Sequence, residues 1–266
     1  MGGGGFTMEP ENPALDEYVL SLAPVREPRI CLLPTAGGDS DDQIRRYYTA
    51  FRDRLCEPTH VSLFRLGSHP VPLRERLLCQ DVIYVGGGSM VNLLALWHAH
   101  GLDKILREAW HAGVVLAGLS AGSMCWFQYG ITKSSGAPAP AAGLGFLSGS
   151  NSVHYDGEPE RRPVYLAAVQ DGTLPPGYGV EDGVGLLFRG TRLAETVCSR
   201  SAARAFRVAH GEDGPLEHEL EPRLLAHASP EEAGGGVSLA ISELREAHAA
   251  RTHRERGGMR RGLGRD

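Results

Sequence analysis

Short apolar runs end in glycine and give way to stretches with helical spacing of apolar residues, and this rhythm organises the first half of the chain. Residues 29–34 (RICLLP) predict a strand that runs into Thr35-Ala36-Gly37-Gly38-Asp39-Ser40. A helix is predicted over 41–55, with Ser40 or Asp39 as its cap. Residues 60–66 (HVSLFRL) alternate and predict a second strand. Residues 81–85 (DVIYV) predict a third, ending in Gly86-Gly87-Gly88-Ser89. Helices follow over 90–99 and 102–112, the latter stopped by Gly113. Residues 114–119 (VVLAGL) are apolar or small throughout, as a central parallel strand covered on both faces requires.

Beyond Ser120 the pattern is more broken. Residues 164–169, 183–188, 192–198, 204–209 and 220–227 predict shorter strands between Pro/Gly turns, and one further helix is predicted near 239–250. The strand–glycine–helix alternation predicts an α/β fold: a mostly parallel sheet with helices on both faces and its chemistry gathered at the carboxyl ends of strands. Residues 1–228 form one expected domain, and 229–266 an expected helix with an Arg-rich tail.

Composition adds two constraints. Glycine supplies 35 of the 266 residues, about twice ordinary usage, but no G-x-y period runs through the chain, so collagen is excluded. The charge balance of −5 gives no global basic field, so a nucleic-acid partner is not expected. Five scattered cysteines without a C-x-x-C argue against a disulfide framework or a zinc site and suit a reducing compartment. No apolar run reaches the length of a membrane span, and the first residues lack the basic and apolar regions of a secretory signal. A cytoplasmic location is therefore expected, as a monomer or homodimer.

The candidate chemistry centres on Gly118-Leu119-Ser120-Ala121-Gly122, a G-x-S-x-G at the end of the most apolar strand. Small flanking residues permit a sharp strand-to-helix turn that projects the serine hydroxyl from the top of the sheet. A serine needs a base within hydrogen-bond reach to act as a nucleophile. His154, in the polar segment Ser152-Val153-His154-Tyr155-Asp156, is the leading candidate, with His210, His218 and His227 as alternatives. Glu181 is the expected orienting acid, with Asp182 as its substitute; Asp156 stands too close in sequence to fold back well. Gly86-Gly87-Gly88 fails both the Walker and the dinucleotide-binding patterns, and reads as a source of backbone donors for an oxyanion, with Gly87, Gly88 and Ala121 as the candidates.

In order, Tyr84-Val85-Gly86-Gly87-Gly88-Ser89, Ala117-Gly118-Leu119-Ser120-Ala121-Gly122-Ser123, His154-Tyr155-Asp156 and Glu181-Asp182-Gly183 resemble the peptidase E and cyanophycinase serine peptidases. The resemblance covers roughly residues 1–197. It implies a flavodoxin-like, class I glutamine amidotransferase-like fold, a Ser120 nucleophile with His154 as base, and no cofactor. It also implies a small peptide substrate, with dipeptides bearing an N-terminal aspartate as the first guess and Arg161 or Arg162 as the cation that meets it. Such proteins open with a β-strand that leads into the first glycine loop, whereas here Met1-Gly2-Gly3-Gly4-Gly5-Phe6 is already the loop. Exposed hydrogen-bonding groups beside that loop are the expected result. Two other classes remain open at this stage: an α/β-hydrolase-type esterase, whose histidine comes last in the chain, and a catalytically degenerate binding protein.

Overall fold

Alternation within the first apolar strand sorts its side chains onto two faces, and both faces are buried. The computed structural model describes residues 1–226. The chain opens with two short helices, α1 (Gly5–Met8) and α2 (Ala14–Ser21), followed by β1 (Arg29–Leu33) and a 3₁₀ turn (Thr35–Gly37). Next come α3 (Asp41–Phe51), β2 (Glu57–His60), α4 (Leu73–Leu78), β3 (Val82–Val85), α5 (Met90–His100), α6 (Leu102–His111) and β4 (Val115–Gly118). The second half runs α7 (Ala121–Met124), β5 (Phe127–Thr132), β6 (Ala139–Ala142), β7 (Leu147–Val153), α8 (Arg161–Gln170), β8 (Gly177–Val180), β9 (Val184–Arg189), β10 (Arg192–Cys198), β11 (Ala205–Ala209), β12 (Leu216–Leu220) and β13 (Arg223–Leu224).

Strands β1–β4 form an all-parallel sheet in the order β2-β1-β3-β4. Ile30 and Leu32 of β1 join Val82 and Tyr84 of β3, Tyr47 and Phe51 of α3, and Phe6 of α1 in one buried cluster. Cys31 and Leu33 join Ile83, Val85 and the helix residues Leu93, Trp97 and Leu106 in the other. A strand covered on both faces must be apolar at every position, which is why these strands read so clearly in the sequence. A six-stranded mixed sheet, β12-β11-β8-β7-β5-β6, has parallel central pairs and antiparallel edges. The order β13-β10-β9 makes a third, small sheet. The architecture is α/β, with parallel strands at its centre and helices on both faces of the first sheet.

Several elements depart from the sequence reading. Residues 164–169 lie in α8 rather than in a strand: Tyr165, Ala168 and Val169 are buried at helical spacing, which a short apolar run does not distinguish from strand burial. The strand expected over 60–66 ends at His60, because the Asp39 carboxylate accepts from Ser62 Oγ (2.6 Å) and the Phe64 N–H (2.9 Å) and turns the chain. Asp39 is thereby taken from capping α3; Ser40 holds the cap position without a side-chain bond. Two short strands, β12 and β13, replace the one expected over 220–227. The expected helix near 239–250 and the Arg-rich tail lie outside the described residues.

Beside the first glycine run, β4 ends one sheet and β9 ends another. A cavity of about 460 Å³ lies there, lined by residues of both strands and by Met1, Leu15, Trp110, Trp126 and Phe146. Among the described residues no helix is long and apolar enough to cross a membrane.

One buried acid gives the fold a pH dependence. Asp16 on α2 is 1% exposed and accepts a bond from Tyr84 Oη at 3.0 Å. Burial raises its pKa from 3.8 to about 6, against the opposing effects of Tyr84 and Arg54. As pH rises from about 4 to about 6 the unfolded chain gives up this proton before the folded one does, so stability falls through that window. Above it, the buried charge costs about 3 kcal/mol. Asp16→Asn keeps an acceptor for Tyr84 and removes the charge. Its melting temperature is expected to exceed wild type at pH 7 and to converge with it at pH 4, as thermal denaturation at the two pH values will show.

Candidate active site

Ser120 is the first residue after Leu119, where the chain leaves β4 and turns into α7. Its φ of 52° is unusual for a residue with a side chain. The turn is held by Gly122 N–H to Leu119 O (2.8 Å) and by Ser123 and Met124 N–H to Ser120 O (2.9 and 3.0 Å). Both glycines of the motif are sterically required. A Cβ on Gly118 would stand 2.0 Å from Gly122 O, and one on Gly122 would stand 2.4 Å from Val85 O.

His154 follows β7 directly and is also at positive φ, 53°. Its Nε2 lies 2.9 Å from Ser120 Oγ, and its Nδ1 lies 2.6 Å from Asp182 Oδ1. An ionised carboxylate can only accept, so Nδ1 carries the hydrogen and Nε2 presents its lone pair to the serine hydroxyl. The imidazole and the carboxylate are 13% and 16% exposed, enough shielding to strengthen both bonds.

The acid on His154 is Asp182, and Glu181 is elsewhere. Glu181 Oε2 accepts the Arg204 N–H (2.7 Å), and Glu181 N–H donates to Arg204 O (3.1 Å), which extends the β8–β11 pairing by one residue. Burial raises the Glu181 pKa. Neighbouring residues of an extended segment point to opposite sides, so only one of the two acids can face β7.

The glycine loop after β3 lies beside the serine. A Cβ on Gly87 would approach Ser120 Cβ to 3.3 Å, and Gly88, at φ 141°, has no room for one because Ala36 O would be 2.1 Å away. Gln43 Nε2 braces the loop through Gly87 O (3.3 Å). Among the described residues, no protein acceptor takes the Gly87 or Gly88 N–H, and Ala121 opens α7 with its N–H ahead of the first intrahelical bond.

The remaining candidates are engaged in other contacts. Arg161 is buried, with Nε on Glu158 Oε2 (3.0 Å) and Nη1 on Ile131 O. Arg162 pairs with Glu217 (2.7 Å) and lies over the Tyr155 and Phe206 rings. His218 lies on β12 at the edge of its sheet, so the order with histidine last is not the one that meets Ser120; His227 lies outside the described residues.

The sequence reading placed Gly2–Gly5 among the glycine loops at the site's edge, without naming what they contact. Met1–Gly3 bridge the two halves of the site: Ser120 N–H donates to Met1 O (3.3 Å), Gly2 N–H to Val184 O (2.9 Å) and Gly183 N–H to Gly3 O (3.1 Å). A Cβ on Gly3 would fall 2.1 Å from Asp182 Oδ1. Four consecutive glycines were the available signal, since only glycine lets backbone approach a carboxylate so closely.

Comparison with known proteins places this geometry in a group. The model of peptidase family S51 matches residues 1–196. The uncharacterized peptidase YgaJ of Bacillus subtilis (strain 168) is 51% identical over 225 residues, which are 85% of this chain and 97% of that protein. The crystal structure of a peptidase from an acI-B1 Actinobacterium superposes with a TM-score of 0.61 at 22% identity, covering 84% of this chain and 92% of its own. A putative peptidase E protein from Listeria monocytogenes EGD-e gives 0.52 at 18% identity, covering 68% and 92%.

Gly122→Ala tests the packing of the turn. The new methyl group meets β3 backbone, which cannot move aside as a flexible side chain could. Urea unfolding is expected to show a loss of about 2–3 kcal/mol, near the upper end for an overpacked site.

Proposed function

The chain belongs to peptidase family S51 and is a serine-type peptidase, and from that premise we propose that Ser120 is its nucleophile, His154 its general base and Asp182 the acid that orients His154. The observation that carries this reading is the unbroken line of bonds from Asp182 Oδ1 through His154 to Ser120 Oγ. His154 Nε2 takes the hydroxyl proton as Ser120 Oγ attacks the scissile carbonyl carbon. The resulting oxyanion is met by N–H groups of Gly87 or Gly88 and of Ala121, which spend no reorganisation energy at that moment. His154 then delivers the proton to the leaving amine, and the acyl group remains on Ser120. A water enters, gives its proton to His154 and attacks the acyl carbon, and Ser120 is restored. Asp182 stays ionised and stabilises the imidazolium in both halves.

The substrate we propose is a small peptide. The narrower reading, a dipeptide with an N-terminal aspartate, calls for a cation free to meet the aspartate side chain. Neither Arg161 nor Arg162 offers one, since Glu158 and Glu217 hold them. A reducing compartment such as the cytoplasm suits five unpaired cysteines, four of them buried.

Two measurements test the reading. Ser120→Ala is expected to lower kcat on the best peptide by about 10³-fold or more, and Asp182→Asn by roughly 10²–10⁴-fold. Glu181→Gln should leave kcat within about two-fold, because no reacting group touches it. Equal losses at the two acids would refute the assignment of Asp182. In a library of X-Leu dipeptides, Asp-Leu and Asn-Leu are expected to give kcat/KM within about tenfold of each other, because Glu158 and Glu217 already hold the two candidate cations.

A further inference from the structure

Asp182 sits on a turn: it follows β8 and precedes Gly183, whose φ is 83°. A carboxylate on a turn orients an imidazole only while its own backbone is held, since misplacement by about 1 Å can cost 10²-fold in rate. Two side chains hold this peptide from both ends. The Asp182 N–H donates to Asp156 Oδ1 at 2.9 Å. Arg200 Nη2 donates to the Asp182 carbonyl. The same guanidinium places Nε on Glu9 Oε1 at 3.0 Å and Nη2 3.7 Å from Asp156 Oδ2. Glu9 is itself fixed by Ser199 Oγ at 2.7 Å. The result is a closed ring of polar contacts around one residue, held at the two peptide groups that flank its Cα.

The ring does little for global stability. Arg200 is about half exposed, and ion pairs of that kind contribute little. What it fixes is local: the backbone N and carbonyl C it holds are three bonds from the Asp182 carboxyl carbon whose oxygen meets His154. An arginine suits the task better than a lysine, because its planar fork reaches the carbonyl and the carboxylates on either side at once.

We propose that Arg200 is a positioning residue for the peptidase reaction: with Asp156 it clamps the Asp182 peptide, so that the carboxylate stays on His154 Nδ1. The proposal rests on the reading of Ser120, His154 and Asp182 as the reacting set. Arg200 bonds the Asp182 backbone, Glu9 and Asp156 rather than Ser120 or His154, and it acts through Asp182.

The test is a mutant cycle on the full chain with the best small peptide as substrate. Arg200→Ala is expected to lower kcat about tenfold with KM within about two-fold, and Arg200→Lys to fall between. In the Asp182→Asn background, Arg200→Ala should cost nothing further, because the group it positions no longer does its work. The downfield proton resonance of His154 Nδ1–H should be sharp in wild type and broadened in Arg200→Ala. Wild-type kcat in Arg200→Ala overturns the proposal, as do losses that multiply across the cycle. If Asp182→Asn itself keeps wild-type kcat, the assignment of Asp182 falls and the proposal falls with it, an outcome distinct from the other two. Should Arg200→Ala not fold, Asp156→Ala, which opens the other side of the clamp, enters the same cycle with the same criteria.

Discussion

The site depends on a close approach that only glycine allows. Gly3 passes so near Asp182 that a single added carbon would collide with its carboxylate, and a Cβ on Gly2 would lie 2.2 Å from the Glu181 carbonyl. This segment is bonded on one side to the Ser120 turn and on the other to Gly183 and Val184. The Ser120 turn and the Asp182 turn follow strands of different sheets, β4 and β8. Their separation is set by the thickness of one glycine backbone. With side chains in that gap, the Asp182–His154–Ser120 line could not close at hydrogen-bond distances.

Strain is concentrated at the same place. Among the described residues, three non-glycine residues have positive φ, namely Asp39, Ser120 and His154, and two of them are bonded to each other across the site. Such conformations cost of order 1–3 kcal/mol each and persist only where the surroundings fix them. Here the fixing is visible. The Ser120 turn is packed against Val85 and bonded to Met1, while His154 is held at both ring nitrogens. The third, Asp39, spends its conformation on bonding the segment after β2.

The sequence was most legible where burial left no choice of residue. β1 and β3 are covered on both faces, so their apolar runs announced them; β4, whose apolar run predicted a central strand, is instead a half-buried edge strand against the cavity, and the glycine turns after these strands marked the candidate site. Ser120 could be named because it sits at the end of such a pattern, whereas His154 was named from its polar segment and not from β7, which precedes it. The choice between Glu181 and Asp182 could not be read, since adjacent acids differ only in which side of the chain they face. That phase is set by pairing of β8 with β11, a long-range fact. β7 (LSGSNSV) escaped notice because its buried face is polar rather than apolar; Ser150 Oγ bonds Tyr165 Oη and Asn151 Nδ2 donates to Ser123 Oγ. α8 was mistaken for a strand because its buried face and a short apolar run look alike. Arg161 and Arg162 looked free in sequence and are spoken for in space by Glu158 and Glu217.

The cavity between β4 and β9 bears on how the protein is handled in the laboratory. Met1 is one of its walls, and the Met1 nitrogen points at Gly118 O (2.9 Å) and Ser123 Oγ (3.1 Å). Anything joined to that nitrogen begins inside a channel with a strand edge on either hand. An affinity tag fused there is thus not an inert handle. A residue joined there would be one peptide bond from Met1, whose carbonyl accepts the Ser120 N–H, and a polar tag would set hydrophilic side chains against Trp110, Trp126 and Phe146. Purification strategy and enzymology are coupled in this molecule, and the choice of fusion site is already a choice about the active site.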